Sequence, residues 1–236
     1  MRPLLIIALL FFINSSFGQK QCSCDSNQFL KEIISCDPVI FKNDAKLFTQ
    51  YNCDSSWLTF QNKKGKKTII YTLESLVELT GRLGYSYATE YKSDFLIQNN
   101  VISGCCDPPE FILFDKETGK EKLNLGRLIF YSDNSRHPIV AYFDNSNYIP
   151  FDGSNIDCDH ITLRNIDNNR VYKIKIPKER IKTTVELTEE MIPEHLIDES
   201  KIIGNKLILK YRFKTKAEND EWLIGEIIID LNKYGS

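Results

Sequence analysis

The residues of this chain best placed to do chemistry are cysteines, and three of them recur with an aspartate beside them at the start of a strand. Cys53-Asp54, Cys106-Asp107 and Cys158-Asp159 each lead into a short apolar run and then a tight polar turn. Successive pairs lie 53 and 52 residues apart. If the three sit on equivalent connections they face one end of the molecule, and thiolates with carboxylates there suit a soft or borderline metal. Disulfide stapling is the expectation instead, because the chain reads as exported. All seven cysteines, Cys22, Cys24, Cys36, Cys53, Cys105, Cys106 and Cys158, are candidates, and an odd number leaves at least one thiol free, intermolecular or modified. Cys22 and Cys24 are too close to pair with each other, so bonds from that end to Cys36 and Cys53 are the plausible set. The adjacent Cys105 and Cys106 either close a strained, easily reduced ring that acts as a redox switch, or bond to different partners.

Other constellations are thinner. The stretch 144–159, DNSNYIPFDGSNIDCD, gathers the oxygens of Asp144, Asp152, Asp157 and Asp159, the residue types that bind calcium. It lacks the alternate-position spacing and closing glutamate of a helix-loop-helix site, so a solvated, turn-rich loop is the expectation. Only His137, His160 and His195 are available for proton transfer near neutrality. There is no G-x-S-x-G, no H-E-x-x-H and no phosphate-cradling glycine run. No cofactor is expected, and no catalytic residue is assigned. A secreted enzyme or thiol redox protein using Cys105 and Cys106 is the alternative to a binding role.

The elements that must position these residues are strands and turns. Trp57 to Phe60 leads to a turn at Asn62–Gly65, Phe111 to Phe114 to one at Asp115–Gly119, and Ile161 to Leu163 to one at Asp167–Asn169. Their turn residues Gly65, Gly119 and Asn169 keep step with the Cys-Asp period, and a fourth hairpin, Leu207–Phe213 with Trp222–Leu231, turns near Asn219. The turn FDKETGK resembles those of β-propeller hairpin repeats; the likeness covers a few residues per unit and carries over no functional residue. It implies an all-β, propeller-like array of about four antiparallel hairpin units, the last one short of strands that 39–52 could supply. A single β-sandwich is the alternative.

Ahead of this region, 1–18 reads as a signal peptide, with Arg2, the apolar run Leu4–Ile13, and small residues Ser16 and Gly18 before the cleavage point. Residues 19–38 read as a cysteine-bearing cap with a short helix started by Asp25 or Ser26, in which Phe29, Leu30, Ile33 and Ile34 share a face. Residues 39–236 then form a single all-β repeat domain. Within 178–203, Thr188 to Met191 reads as the start of a helix that Pro193 limits to a turn or two. A formal charge of −2 gives no electrostatic excess to drive nucleic-acid binding. Lys63, Lys64, Lys66 and Lys67 flank a turn and read as its solvated edge. No later stretch is long and apolar enough to span a membrane. The expectation is an exported, non-catalytic binding domain, secreted or periplasmic, whose partner is another exported protein or a glycan. An envelope structural component is a further alternative.

Overall fold

Two kinds of apolar pattern alternate along the chain, and they decide which strands lie inside. Runs such as DFLIQN and EFILFD are apolar at nearly every position, the signature of a strand covered on both faces, whereas VYKIK alternates as an outer strand does. A computed structural model describes residues 22–100, 108–132, 136–144, 157–176, 180–188, 192–215 and 221–234. It is mostly β, with four antiparallel sheets that follow one another in the chain.

The first sheet holds β1 (Val39–Ile40), β2 (Lys46–Tyr51), β3 (Ser55–Gln61) and β4 (Lys67–Glu74) in that order. The second holds β5 (Tyr85–Glu90), β6 (Asp94–Asn99), β7 (Glu110–Asp115) and β8 (Glu121–Arg127). The third holds β9 (Phe130–Tyr131), β10 (Ile139–Asp144), β11 (Asp157–Asn165) and β12 (Val171–Lys175). The fourth has three strands, β13 (Ile197–Ile203), β14 (Lys206–Phe213) and β15 (Leu223–Asp230). Every pairing is between sequence neighbours, so each sheet is a meander. The four hairpins read from the sequence are β3–β4, β7–β8, β11–β12 and β14–β15. Each is the last pair of its sheet.

Packing follows chain order. Phe41, Leu47 and Phe60 of the first sheet region meet Phe95, Ile97, Ile112 and Phe114 of the second. Phe60 and Phe95, both fully buried, stack with centroids 5.5 Å apart. Burial of such a ring contributes about 1.5–3 kcal/mol. The opposite face of the second sheet, with Leu96, Phe111 and Leu113, meets Val140 and Ile166 of the third. Ile139, Ala141, Phe143, Ile161 and Leu163 then face Leu207, Leu209, Ile227 and Ile229 of the fourth. The middle sheets are covered on both sides, which is why β6 and β7 lose their alternation. The buried residues thus divide into clusters between successive sheets and do not form the one core of a two-sheet sandwich. No described sheet closes or curls.

Three expectations are corrected. Residues 39–52 do not complete the fourth sheet: β1 pairs with β2, and β2 with β3, because a tight turn at Phe41–Ala45 returns the chain directly onto its own sheet. The N-terminal helix α1 (Leu30–Ile33) is started by neither Asp25 nor Ser26: Phe29 holds the cap position and no side chain caps it, while Asn27 Oδ1 accepts from the Phe29 N–H just ahead of the helix. Leu30 and Ile34 are buried, but Phe29 is 56 % exposed, since four helical residues are too few to bring all these positions onto one face. The second helix, α2 (Arg180–Thr188), is already under way at Thr188, where the sequence places a helix start, and 189–191 lie outside the described residues. Ile181 and Thr184 are its buried residues, and the Thr184 hydroxyl accepts from the Lys214 N–H at 2.8 Å, fixing the helix to the end of β14. A 3₁₀ turn, Pro193–Leu196, follows.

Candidate functional site

Local turn chemistry sets the end of the molecule on which side chains gather. Asn62, Asp115 and Asn165 each occupy the first position of a β-hairpin turn and accept backbone N–H groups two to four residues on. A short polar side chain that mimics a turn carbonyl is what this position favours. Gly65, Gly119 and Asn169 take the left-handed conformation that closes each turn, with φ of 84°, 69° and 61°. At Gly119 a second constraint applies: a Cβ would lie 2.3 Å from the Phe60 ring of the neighbouring sheet.

In a meander the first and third connections share an end. Hydrogen bonds between sheets show that these ends coincide. Asn43, between β1 and β2, donates from Nδ2 to the Lys116 carbonyl between β7 and β8 at 3.1 Å. The Lys92 N–H, between β5 and β6, donates to Asp167 Oδ1 between β11 and β12 at 3.2 Å. Each first-pair turn therefore reaches the last-pair turn of the following sheet. Lys63 adds an ion pair to Glu117 at 3.1 Å, exposed on both sides and so of small energetic consequence.

A cavity of about 430 Å³ lies where these turns meet. Lys42 and Asn43 come from the first sheet, Glu90, Tyr91, Lys92 and Lys116 from the second, and Pro138 and Asp167 from the third region. Its floor is an ion pair removed from water: Lys116 Nζ lies 2.6 Å from Glu90 Oε1, with side chains only 4 % and 12 % exposed. The same Glu90 oxygen accepts the Lys42 N–H at 2.9 Å. The Lys116 backbone N–H is held by the Ser93 carbonyl, so both the backbone and the ammonium of this residue are held by the second sheet. Lys42, Lys92 and Asp167 stand exposed at the rim. A volume in this range suits a small molecule or the end of a polymer.

The sulfur chemistry lies on other connections. Cys22 bonds to Cys36 and Cys24 to Cys53, tying the cap to the connection between β2 and β3. Cys24, Leu30, Ile34, Tyr51 and Val77 form a small buried cluster around these bonds. Cys53-Asp54 lies between β2 and β3, whereas Cys158-Asp159 lies within the first residues of β11. Cys105, Cys106 and Asp107 lie outside the described residues, as does the side chain of Cys158, and with them the redox switch. Asp152 and the side chains of Asp144 and Asp157 lie outside them too. Asp159 faces Lys182 Nζ of α2 at 3.6 Å. Among the described residues no group of three His, Cys, Asp or Glu is placed to hold a metal ion. His137 is buried beside Pro138, His160 lies on β11 and His195 in the 3₁₀ turn.

Of the turn residues singled out in the sequence, Lys116 and Asp167 line the cavity and Asn62 does not. Lys42, Asn43, Glu90, Tyr91, Lys92 and Pro138 were not anticipated. The signal that finds them is the meander itself: once the hairpin turns are placed in one period, the turns half a sheet earlier must share their end. Comparison of the chain with known protein families, with curated proteins and with solved structures returns no match.

Proposed function

We propose that this chain is an exported, non-catalytic recognition module that binds through the end of the stack where the hairpin turns of its first three sheets meet. The observation that carries the reading is the cavity at that end, assembled from five connections in three sheets around the buried Lys116–Glu90 pair. Loops presented by a rigid sheet scaffold are where binding surfaces concentrate. We read the four sheets as blade-like copies of one module of about fifty residues, in keeping with their common meander order and their packing in sequence. The fourth copy substitutes α2 and the 3₁₀ turn for its first strand. Export is supported by the two disulfides, and no helix of the described residues is long and apolar enough to cross a membrane.

The test is a glycan array and a pull-down from the exported fraction, run with the mature chain and with a Lys42→Glu, Lys92→Glu variant. Both positions are exposed, so the variant keeps the fold. The reading expects a partner held by the parent chain and lost from the variant. A partner retained by the variant, or none in either assay, ends it; turnover of a bound partner would replace it with an enzyme.

A further inference from the structure

We infer that the cavity takes the carboxylate end of an acidic sugar, a uronate, free or at the terminus of a polysaccharide. The inference rests on the reading of the turn-bearing end as the binding surface and names what that surface selects. It starts from the donors Lys116 leaves over. An ammonium has three N–H groups. Among the described residues Lys116 Nζ is bonded to Glu90 Oε1 alone, although its side chain is only 4 % exposed and borders the cavity. A buried donor without an acceptor is costly, so the remaining two are best met by oxygens of a molecule seated there.

Charge chooses the kind of oxygen. Lys116 and Glu90 neutralise each other, which leaves the ammonium groups of Lys42 and Lys92 against the carboxylate of Asp167 around the same cavity. The balance is one positive charge, the complement of a monoanion. A dianionic phosphate would be undercompensated and a hexosamine repelled. Polar and apolar lining then separates a uronate from a simple fatty or aromatic acid. Asp167, whose Oδ1 accepts the Lys92 N–H, presents carboxylate lone pairs at the rim that suit sugar hydroxyls. Tyr91 and Pro138 supply the apolar wall on which the C–H face of a pyranose rests. About 430 Å³ holds a ring with its substituents and leaves an open mouth for a chain to continue.

The experiment is a titration of the isotope-labelled mature chain followed by amide NMR. The probes are glucuronate, glucose, glucosamine, inorganic phosphate and a short oligouronate. Glucuronate is expected to shift the amides of Lys42, Lys92, Lys116 and Asp167, and to bind at least tenfold more tightly than glucose, glucosamine or phosphate. The Lys42→Gln, Lys92→Gln variant is expected to lose at least tenfold for glucuronate with little change for glucose. An oligouronate that binds more tightly than the monomer identifies a polymer end as the source; equal affinity identifies the free sugar. Glucose or phosphate binding as well as glucuronate, or uronate shifts confined to other surfaces, overturns the inference. If uronates fail while the charge-reversal variant still loses a captured partner, only the ligand class is wrong; if both fail, the binding end is wrong as well.

Discussion

Gly119 shows most directly how one residue is held to its identity by two unrelated demands. Its φ of 69° costs an L side chain about 1–2 kcal/mol. The Phe60 ring, 2.3 Å from where a Cβ would stand, adds an overpacking cost of about 1–3 kcal/mol because that ring is fully buried and cannot retreat. Gly119→Ala is therefore expected to destabilise by about 2–5 kcal/mol. Gly204→Ala, at φ 60° with open space around it, should show only the backbone part, about 1–2 kcal/mol. Equal losses in denaturant titrations of the two variants would remove Phe60 from the explanation. The Lys116–Glu90 pair makes a second claim of this kind. Glu90→Ala strands a buried ammonium and should cost about 3–5 kcal/mol, whereas Glu90→Met with Lys116→Met removes both charges and should recover most of it. A double variant no more stable than the single one contradicts that account. At Glu199 the sign is opposite to burial: hydrogen bonds from Lys201 and then Lys210 lower its carboxyl from 4.5 to about 2. A lowered carboxyl stabilises the fold above its ordinary range, and that contribution is lost as pH falls from about 4.5 toward about 2. Carbon-detected titration of Glu199 should return to the ordinary value in a Lys201→Met, Lys210→Met variant; an unmoved value refutes the assignment.

At the scale of elements, the cap is tied down by sulfur more than by its own core, since α1 is a single turn. Closing a loop of 29 residues, as Cys24–Cys53 does, is worth about 3–4 kcal/mol on the chain-entropy account. Cys24→Ser with Cys53→Ser should lower stability by about that amount and raise amide exchange around α1 and Tyr51, leaving β14 and β15 protected. Uniform loss across the chain would mean the cap is integral to the whole fold. Turns and hairpins were legible in the sequence because Asn62, Asp115, Asn165 and the left-handed residues behind them carry their geometry in their own side chains. α2 was not, because RIKTTVELT is rich in β-branched residues that favour strands; Thr184 holds it through Lys214, thirty positions away. Nor was the cavity. Lys116 reads as one more solvated turn lysine until Glu90, on a different strand, is brought against it. The fate of 39–52 was misjudged for a related reason: strand count asked for it at the far end, while local closure of a turn is cheaper than a distant pairing.

The whole molecule inherits its behaviour from the order of its interfaces. Buried clusters join first to second sheet, second to third and third to fourth, and among the described residues none joins the fourth to the first. Stability in such a stack is a sum over neighbours, and loss of one interface propagates only as far as the next strong one. Leu209, fully buried between the third and fourth sheets, and Leu113, buried between the second and third, probe this from two places. Each truncation to alanine should cost about 2–5 kcal/mol at its own interface. Leu209→Ala is expected to lower amide protection in β13–β15 and α2 while β2 and β3 keep theirs. Leu113→Ala should loosen both flanking sheets, because the second and third each rely on that shared face. Native-state hydrogen exchange reads the two patterns directly. If Leu209→Ala erodes protection in β2 and β3 as deeply as in β14, the ends of the stack are coupled, and a closed ring of blades becomes the better description of the molecule.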